Sequence, residues 1–171
     1  MTREKAMVFV QHQIGYEFKN IDLLKQAFTR RSFTEENGGE NNEVLEFIGD
    51  KVLDFIVVKI LSEKFGTFEK EEQDPNYWSK KLYTGNFISE LNEGKLSELK
   101  SRLVNKNALA HRIDELGIVN FEIAEFLNMS NGDIANGVMN QPSVKEDLFE
   151  AILGAVALDC GWNLEELQNT V

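Results

Sequence analysis

Asn41-Asn42-Glu43-Val44-Leu45-Glu46-Phe47-Ile48-Gly49-Asp50-Lys51-Val52-Leu53 is the stretch from which the rest of the chain is read. Glu43, Glu46 and Asp50 recur at intervals that place them within roughly 60° of arc on one side of a helix. Around and beyond them stand Val44, Leu45, Phe47, Ile48, Val52, Leu53, Phe55, Ile56, Val57, Val58, Ile60 and Leu61. That pattern is apolar on nearly every face, which predicts a helix buried in a core. Asn41 or Asn42 caps its start, and it runs to about Phe65-Gly66. Buried carboxylates are costly unless paired or bound to a cation, so an acidic stripe on such a helix predicts a metal.

The other ligands are found near the C-terminus. Glu146-Asp147-Leu148-Phe149-Glu150-Ala151-Ile152-Leu153-Gly154-Ala155 is again apolar on almost all sides, with Asp147 and Glu150 one turn apart. Gly49 and Gly154 each cost about 1 kcal/mol in helix propensity. Small residues there predict that the two helices cross closely, bringing Glu46 and Asp50 against Asp147 and Glu150. Four converging carboxylates without a basic partner form an all-oxygen donor set, suited to Mg²⁺ or Mn²⁺ rather than zinc. Such ions serve phosphodiester or pyrophosphate hydrolysis.

Elsewhere helices dominate. Residues 3–13 form a short amphipathic helix, and Ile14-Gly15-Tyr16-Glu17-Phe18 turns. Asn20 caps a helix from Ile21 to Arg31, and Thr34 to Glu40 is a loop around Asn37-Gly38-Gly39. Residues 67–76 are charged and end in Asp74-Pro75, predicting a solvated loop. Tyr77 to Asn92 has a mixed helical pattern (Trp78, Leu82, Tyr83, Phe87, Ile88, Leu91) interrupted by Glu93-Gly94. Leu96 to Leu116 describes two helices closed by Gly117 as a C′ glycine. Phe121 to Leu127 is a short helix, Asn128 to Gln141 the longest polar loop, and Pro142 starts the last long helix, to about Asp159. With no convincing strand, repeat or low-complexity tract, the expected fold is all-α and residues 1–171 form one domain.

Composition narrows the function. The 171 residues carry a formal net charge of −11, against a simple nucleic-acid-binding module, although acids that ligate metal overstate the field a phosphate meets. One cysteine, Cys160, excludes an intramolecular disulfide framework and fits a reducing cytoplasm. No apolar run is long enough for a membrane helix, and no signal-type core follows the N-terminus, so a soluble, unexported protein is expected. His12 and His111 follow Phe9 and Ala108 at the spacing where a di-iron site needs Glu, so that chemistry fails. With Cys160 isolated and only those two histidines, zinc sites and Ser-His-Asp or Cys-His catalysis have little support, and Gly-rich phosphate-loop patterns are absent.

Together the two acidic motifs resemble those of the ribonuclease III family. Supporting similarity lies in Ile14-Gly15-Tyr16-Glu17-Phe18, Leu23-Leu24-Lys25-Gln26-Ala27-Phe28-Thr29, Arg31-Ser32 and Leu96-Ser97-Glu98-Leu99-Lys100-Ser101-Arg102-Leu103-Val104. The resemblance implies a helical endonuclease domain, homodimeric, that cleaves double-stranded RNA with Mg²⁺ (Mn²⁺ standing in) during RNA processing. Its products would carry 5′-phosphate and 3′-hydroxyl ends. It implies Glu46, Asp50, Asp147 and Glu150 as metal ligands and catalytic residues, Glu43 at the rim near the scissile strand, and Glu93 as accessory acid, with Glu71 and Glu72 also alignable there. Departures are Val44 for the usual Arg, Lys51 for the usual small residue, and Arg30 where a His is common.

Residues 66–92 form an insertion relative to the family pattern, in which Trp78, Tyr83 and Phe87 pack a core, extend the dimer surface or contact RNA. No double-stranded-RNA-binding domain is expected within residues 1–171, which read as either a stand-alone form or a fragment, and Lys80-Lys81, Lys51 and Arg102 are only scattered candidates for phosphate contact, so weak RNA affinity is expected. Two other readings remain at this stage. One is an all-α nucleoside-triphosphate pyrophosphohydrolase; the other is a non-catalytic relative that dimerises or binds RNA.

Overall fold

A computed structural model describes residues 2–74, 81–119 and 126–170. Its centre is a pair of long helices, α4 (Glu43–Phe65) and α8 (Pro142–Asp159), packed on each other more extensively than any other described pair. Helices α1 (Arg3–Ile14), α2 (Ile21–Ala27), α3 (Arg31–Asn37), α5 (Glu93–Leu103) and α6 (Lys106–Glu115) surround them. Two shorter pieces, α7 (Asn131–Ala135) and α9 (Leu164–Thr170), complete the described helices. The fold is predominantly helical, as expected.

Helix ends follow local chemistry. Asn20 caps α2 by accepting the Asp22 amide, and Asn92 and Asn105 cap α5 and α6 in the same way. Asn42 occupies the N-cap position of α4, but the side-chain bond comes from Asn41, whose Oδ1 accepts the Glu43 amide at 3.0 Å. Gly117 ends α6 with φ +64°. Its amide and that of Ile118 return to the Asp114 and Ile113 carbonyls, the double bond of a left-handed glycine terminus.

The core runs along the α4–α8 seam. Leu45, Val52, Leu53 and Ile56 of α4 and Leu148, Ile152, Ala155 and Val156 of α8 are all buried. Leu24, Ala27 and Phe28 of the α2 region, and Leu109 and Ile113 of α6, close the sides. At the C-terminal end of α8, Asp159 accepts the Tyr16 hydroxyl and the Lys19 and Asn20 amides, each at 2.8 Å, tying down the α1–α2 link.

Several expectations are corrected. The absence of strands is overturned: β1 (Gly66–Gln73) and β2 (Lys81–Ser89) form an antiparallel hairpin, with Gly66 opposite Ser89 and Gln73 opposite Lys81. The register slips between Phe68 and Lys70, where Glu69 turns to accept the Asn86 amide at 3.1 Å beside Gly85 at φ +81°. Neither the solvated loop over 67–76 nor the helix over 77–92 is therefore present among the described residues. Leu82, Tyr83, Phe87 and Ile88 fit a helical spacing, yet Phe68 stacks on Tyr83 and meets Phe87 across the hairpin. Cross-strand aromatic pairs supply the stability that period counting assigned to a helix. Trp78, Lys80 and residues 121–125 lie outside the described residues.

Helix α2 stops at Ala27 rather than Arg31, and the Thr34–Glu40 loop is mostly α3. Asn128 to Gln141 holds α7 and a short 3₁₀ turn, Val138–Asn140, because Ser130 caps the Asp133 amide. Glu93-Gly94 opens α5 instead of interrupting a helix. Finally, α4 is not buried on every face. Val44, Phe47, Phe55 and Val58 form an exposed apolar stripe, with Phe47 66% accessible.

Candidate functional site

The two glycines bring the acids together. A Cβ on Gly49 would overlap the Glu150 carbonyl and stand 2.9 Å from the Gly154 nitrogen, and one on Gly154 would overlap the Leu45 carbonyl. The backbones of α4 and α8 thus touch where Glu46 and Asp50 flank Gly49 and where Glu150 lies one turn before Gly154. This is the close crossing expected from the sequence.

Four of the sequence-derived residues line the crossing. Glu46 and Glu150, both half-buried, feel the cluster most. Burial, followed by the charges of Asp147 and Glu43, pushes Glu46 up to about 7. Burial, followed by Asp50, Glu146, Glu46 and Asp147, pushes Glu150 up to about 8. Asp147 is also raised by burial, which outweighs the opposing Arg30. All three are short of solvent, and Glu46 and Glu150 are in addition crowded by like charge.

The expectation of carboxylates without a basic partner is corrected. Arg30 Nη1 lies 3.5 Å from Asp147 Oδ2, Lys51 Nζ 2.7 Å from Asp50 Oδ2, and Lys106 Nζ 3.8 Å from Glu146 Oε2. Glu146 itself is a residue that sequence reasoning left unassigned. It faces the same cleft, raised by burial and by Asp147 and Asp50, and it precedes Glu150 by four residues, a spacing that already puts the two on one helix face. Asp133, which also meets Arg30, had no sequence signal, because α7 is folded against the cleft only in three dimensions.

The remaining sequence-derived acids stand apart. Glu43 is exposed at the start of α4, where Arg31 Nη1 approaches it at 3.3 Å. Glu93 is exposed at the start of α5, accepts the Ser97 hydroxyl at 2.8 Å, and lines a groove with Val58, Leu61 and Ser62. Ser62 is twelve residues beyond Asp50, about 18 Å along the helix. Glu71 sits on the hairpin paired with Lys81, and Glu72 is exposed there. The basic residues Lys81, Lys51 and Arg102 are each paired with an acid.

The donor set fits a hard divalent cation. All the donors are carboxylate oxygens, and the raised protonation of Glu46 and Glu150 reflects burial and like-charge repulsion that a bound cation would relieve. Among the described residues no three acidic, histidine or cysteine side chains are already closed into a ligand cage, so binding would draw the side chains inward.

Fold and site together define a helical protein with a carboxylate-lined cleft between two crossed helices. Residues 20–167 match the model of a family described as ribonuclease-III-like, and the chain belongs to that family. It is 57% identical to a ribonuclease 3 of Roseburia hominis over 98% of its own length and 46% of that protein's. It is 45% identical to a ribonuclease 3 of Treponema succinifaciens over 94% of its length and 38% of that protein's. The chain thus spans less than half the length of these two relatives. A solved nuclease domain of ribonuclease III from Campylobacter jejuni, described for flexibility in a region involved in dimer formation, matches with TM-score 0.69 and 32% identity. That match covers 92% of this chain and 89% of that one. A second structure of that nuclease domain matches with TM-score 0.70 and 31% identity over 97% and 90%. Family membership sets aside the pyrophosphohydrolase reading.

Proposed function

We propose that this chain is a Mg²⁺-dependent ribonuclease III-type nuclease domain that cleaves double-stranded RNA as a homodimer, with Mn²⁺ able to replace Mg²⁺. The products would be 5′-phosphate and 3′-hydroxyl ends, and the setting RNA processing in the cytoplasm. The observation that carries this reading is the Gly49–Gly154 crossing, which sets Glu46 and Asp50 beside Asp147 and Glu150. In this reading residues 1–171 are one nuclease domain, with 66–92 added to the family pattern.

Glu46, Asp50, Asp147 and Glu150 would hold the cation, which supplies activation of water and stabilisation of charge on the leaving 3′ oxygen. The chain's own contribution begins with the desolvated cleft, where a fixed charge acts more strongly than in water. Glu46 and Glu150 retain protons near neutral pH and must release them to become ligands, so cation affinity rises with pH. Glu43, exposed at the start of α4 and paired with Arg31, would meet the strand rather than the cation. Glu93, at the start of α5 in the groove with Val58, Leu61 and Ser62, is the accessory acid in this proposal.

The homodimer is supported by the apolar stripe Val44, Phe47, Phe55 and Val58. Beside it Lys51, Val52, Phe55, Trp162, Leu164 and Leu167 line an open groove of about 430 Å³. A contiguous apolar surface of this kind marks an interaction face. Among the described residues no helix is long and apolar enough to cross a membrane.

The test is cleavage of a duplex RNA in Mg²⁺ by the wild type and by Glu150→Ala. The expected result is loss of cleavage in the variant with its fold intact by circular dichroism. Equal rates for the two would refute the site.

A further inference from the structure

Arg30 is built into the cleft more firmly than any other basic residue there. Its backbone is fixed at both ends of the residue. The Arg30 amide donates to the Asn128 carbonyl at 3.0 Å, and its carbonyl accepts the Phe33 amide at 3.1 Å as α3 begins. Its side chain is only 21% accessible, while those of Lys51 and Lys106 are 63% and 55% accessible and reach their acids on flexible stems.

The guanidinium spans two acids of different standing. On one side, Asp133 Oδ2 lies 3.5 Å from Nε, and the same oxygen already accepts the Ser32 hydroxyl at 2.6 Å. Asp133 is thereby committed to the α3–α7 contact. On the other side stands Asp147, a candidate ligand, also at 3.5 Å. Both separations exceed the roughly 2.7–2.9 Å of a strong charge-assisted bond. Nε is buried and makes no hydrogen bond. A partly buried guanidinium held this loosely is compensated by the field of the surrounding carboxylates rather than by close bonds.

We propose that Arg30 is a tethered counter-cation: it holds the acidic cleft together in the metal-free protein and, by repelling a divalent ion, sets how tightly that ion binds. The proposal rests on the metal-site reading above. Its logic is linkage. A positive charge that stabilises the empty cleft more than the loaded one lowers cation affinity, so neutralising it must raise that affinity. Arg30 is therefore a positioning residue, acting through Asp147.

The experiment uses the full chain as wild type, Arg30→Gln, Arg30→Lys and Glu150→Gln, with thermal melts and calorimetric titration of Mn²⁺. Arg30→Gln is expected to melt lower without metal, to regain most of the difference in saturating Mn²⁺, and to bind Mn²⁺ about tenfold more tightly, ~1.4 kcal/mol. Arg30→Lys, which keeps the charge, should stay near wild type in both measurements. Mn²⁺ binding by Arg30→Gln that is unchanged or weaker overturns the proposal. If Arg30→Gln does not fold without metal, recovery of the fold on adding Mn²⁺ supports it, and failure to fold in either condition overturns it. Glu150→Gln separates the two levels. If it binds Mn²⁺ as the wild type does, the metal-site reading itself fails. If it weakens binding while Arg30→Gln changes nothing, only the counter-cation role falls.

Discussion

Gly49→Ala tests the central crossing most directly. The added methyl would overlap the Glu150 carbonyl, approach the Glu150 carbonyl carbon to 2.6 Å, and stand 2.9 Å from the Gly154 nitrogen. All three atoms are backbone, so no rotamer change relieves the clash and the helices must separate. Overpacking a core costs about 1–3 kcal/mol, and a backbone obstacle belongs at or above the upper end. Alanine returns about 1 kcal/mol of helix propensity, which leaves a net loss of about 2 kcal/mol or more. For a chain of this size each kcal/mol moves the melting temperature by about 2–4 °C, so a fall of about 4–8 °C or more is expected. Activity should fall further than stability, because Glu150 lies on the displaced backbone. A shift of about 1 Å in a reacting constellation costs about 100-fold. The assays are a thermal melt by circular dichroism and duplex-RNA cleavage well below the melt. A melting temperature equal to or above wild type would refute the reasoning, since the propensity gain would then have outweighed the contact.

Stability should also depend on pH. In the fold Glu46 and Glu150 titrate near 7 and 8, above their ordinary values, so the native state holds more protons than the unfolded chain across that interval. The metal-free protein is therefore expected to lose stability as pH rises from about 4.5 through 8, and Glu150→Gln or added Mg²⁺ should flatten the profile in thermal melts. Phe47→Asp adds a charge to an exposed site. It should leave the monomer's melt nearly unchanged while converting a dimer to a monomer in size-exclusion chromatography, and a variant that still elutes as a dimer would exclude this face. Gly66 and Ser89 face each other at the base of the hairpin, so a short Gly-Ser turn replacing residues 67–88 closes the same gap. Helical content and cooperative melting should survive that excision; their collapse would show that the hairpin is integral to the core.

Much of the site was legible because helical spacing is local information. The three- and four-residue intervals of Glu43, Glu46 and Asp50, the Asp147–Glu150 turn, and two glycines in otherwise apolar helices were enough to predict which backbones touch. The helices α4 and α8 and several of the asparagine caps follow from the same short-range rules. Residues 66–92 resisted because Leu82, Tyr83, Phe87 and Ile88 satisfy a helical period while their partner Phe68 lies across a turn. Pairing of that kind is non-local, and no window along one strand contains it.

By itself, then, the chain determined its two acidic helices, their point of closest approach and the carboxylates that line it, because each depends on residues within a few turns. Only the tertiary structure decided the charge balance of the cleft. Arg30 precedes Asp147 by more than a hundred residues, and Asp133 and Lys106 arrive from other helices, yet all three meet the acids of α8 or their partners. Coulomb energy depends on distance in space, and sequence separation carries almost none of it. The same holds for the exposed stripe of α4, whose composition looks like core: burial is set by what packs against a face, and nothing in the described chain covers Phe47.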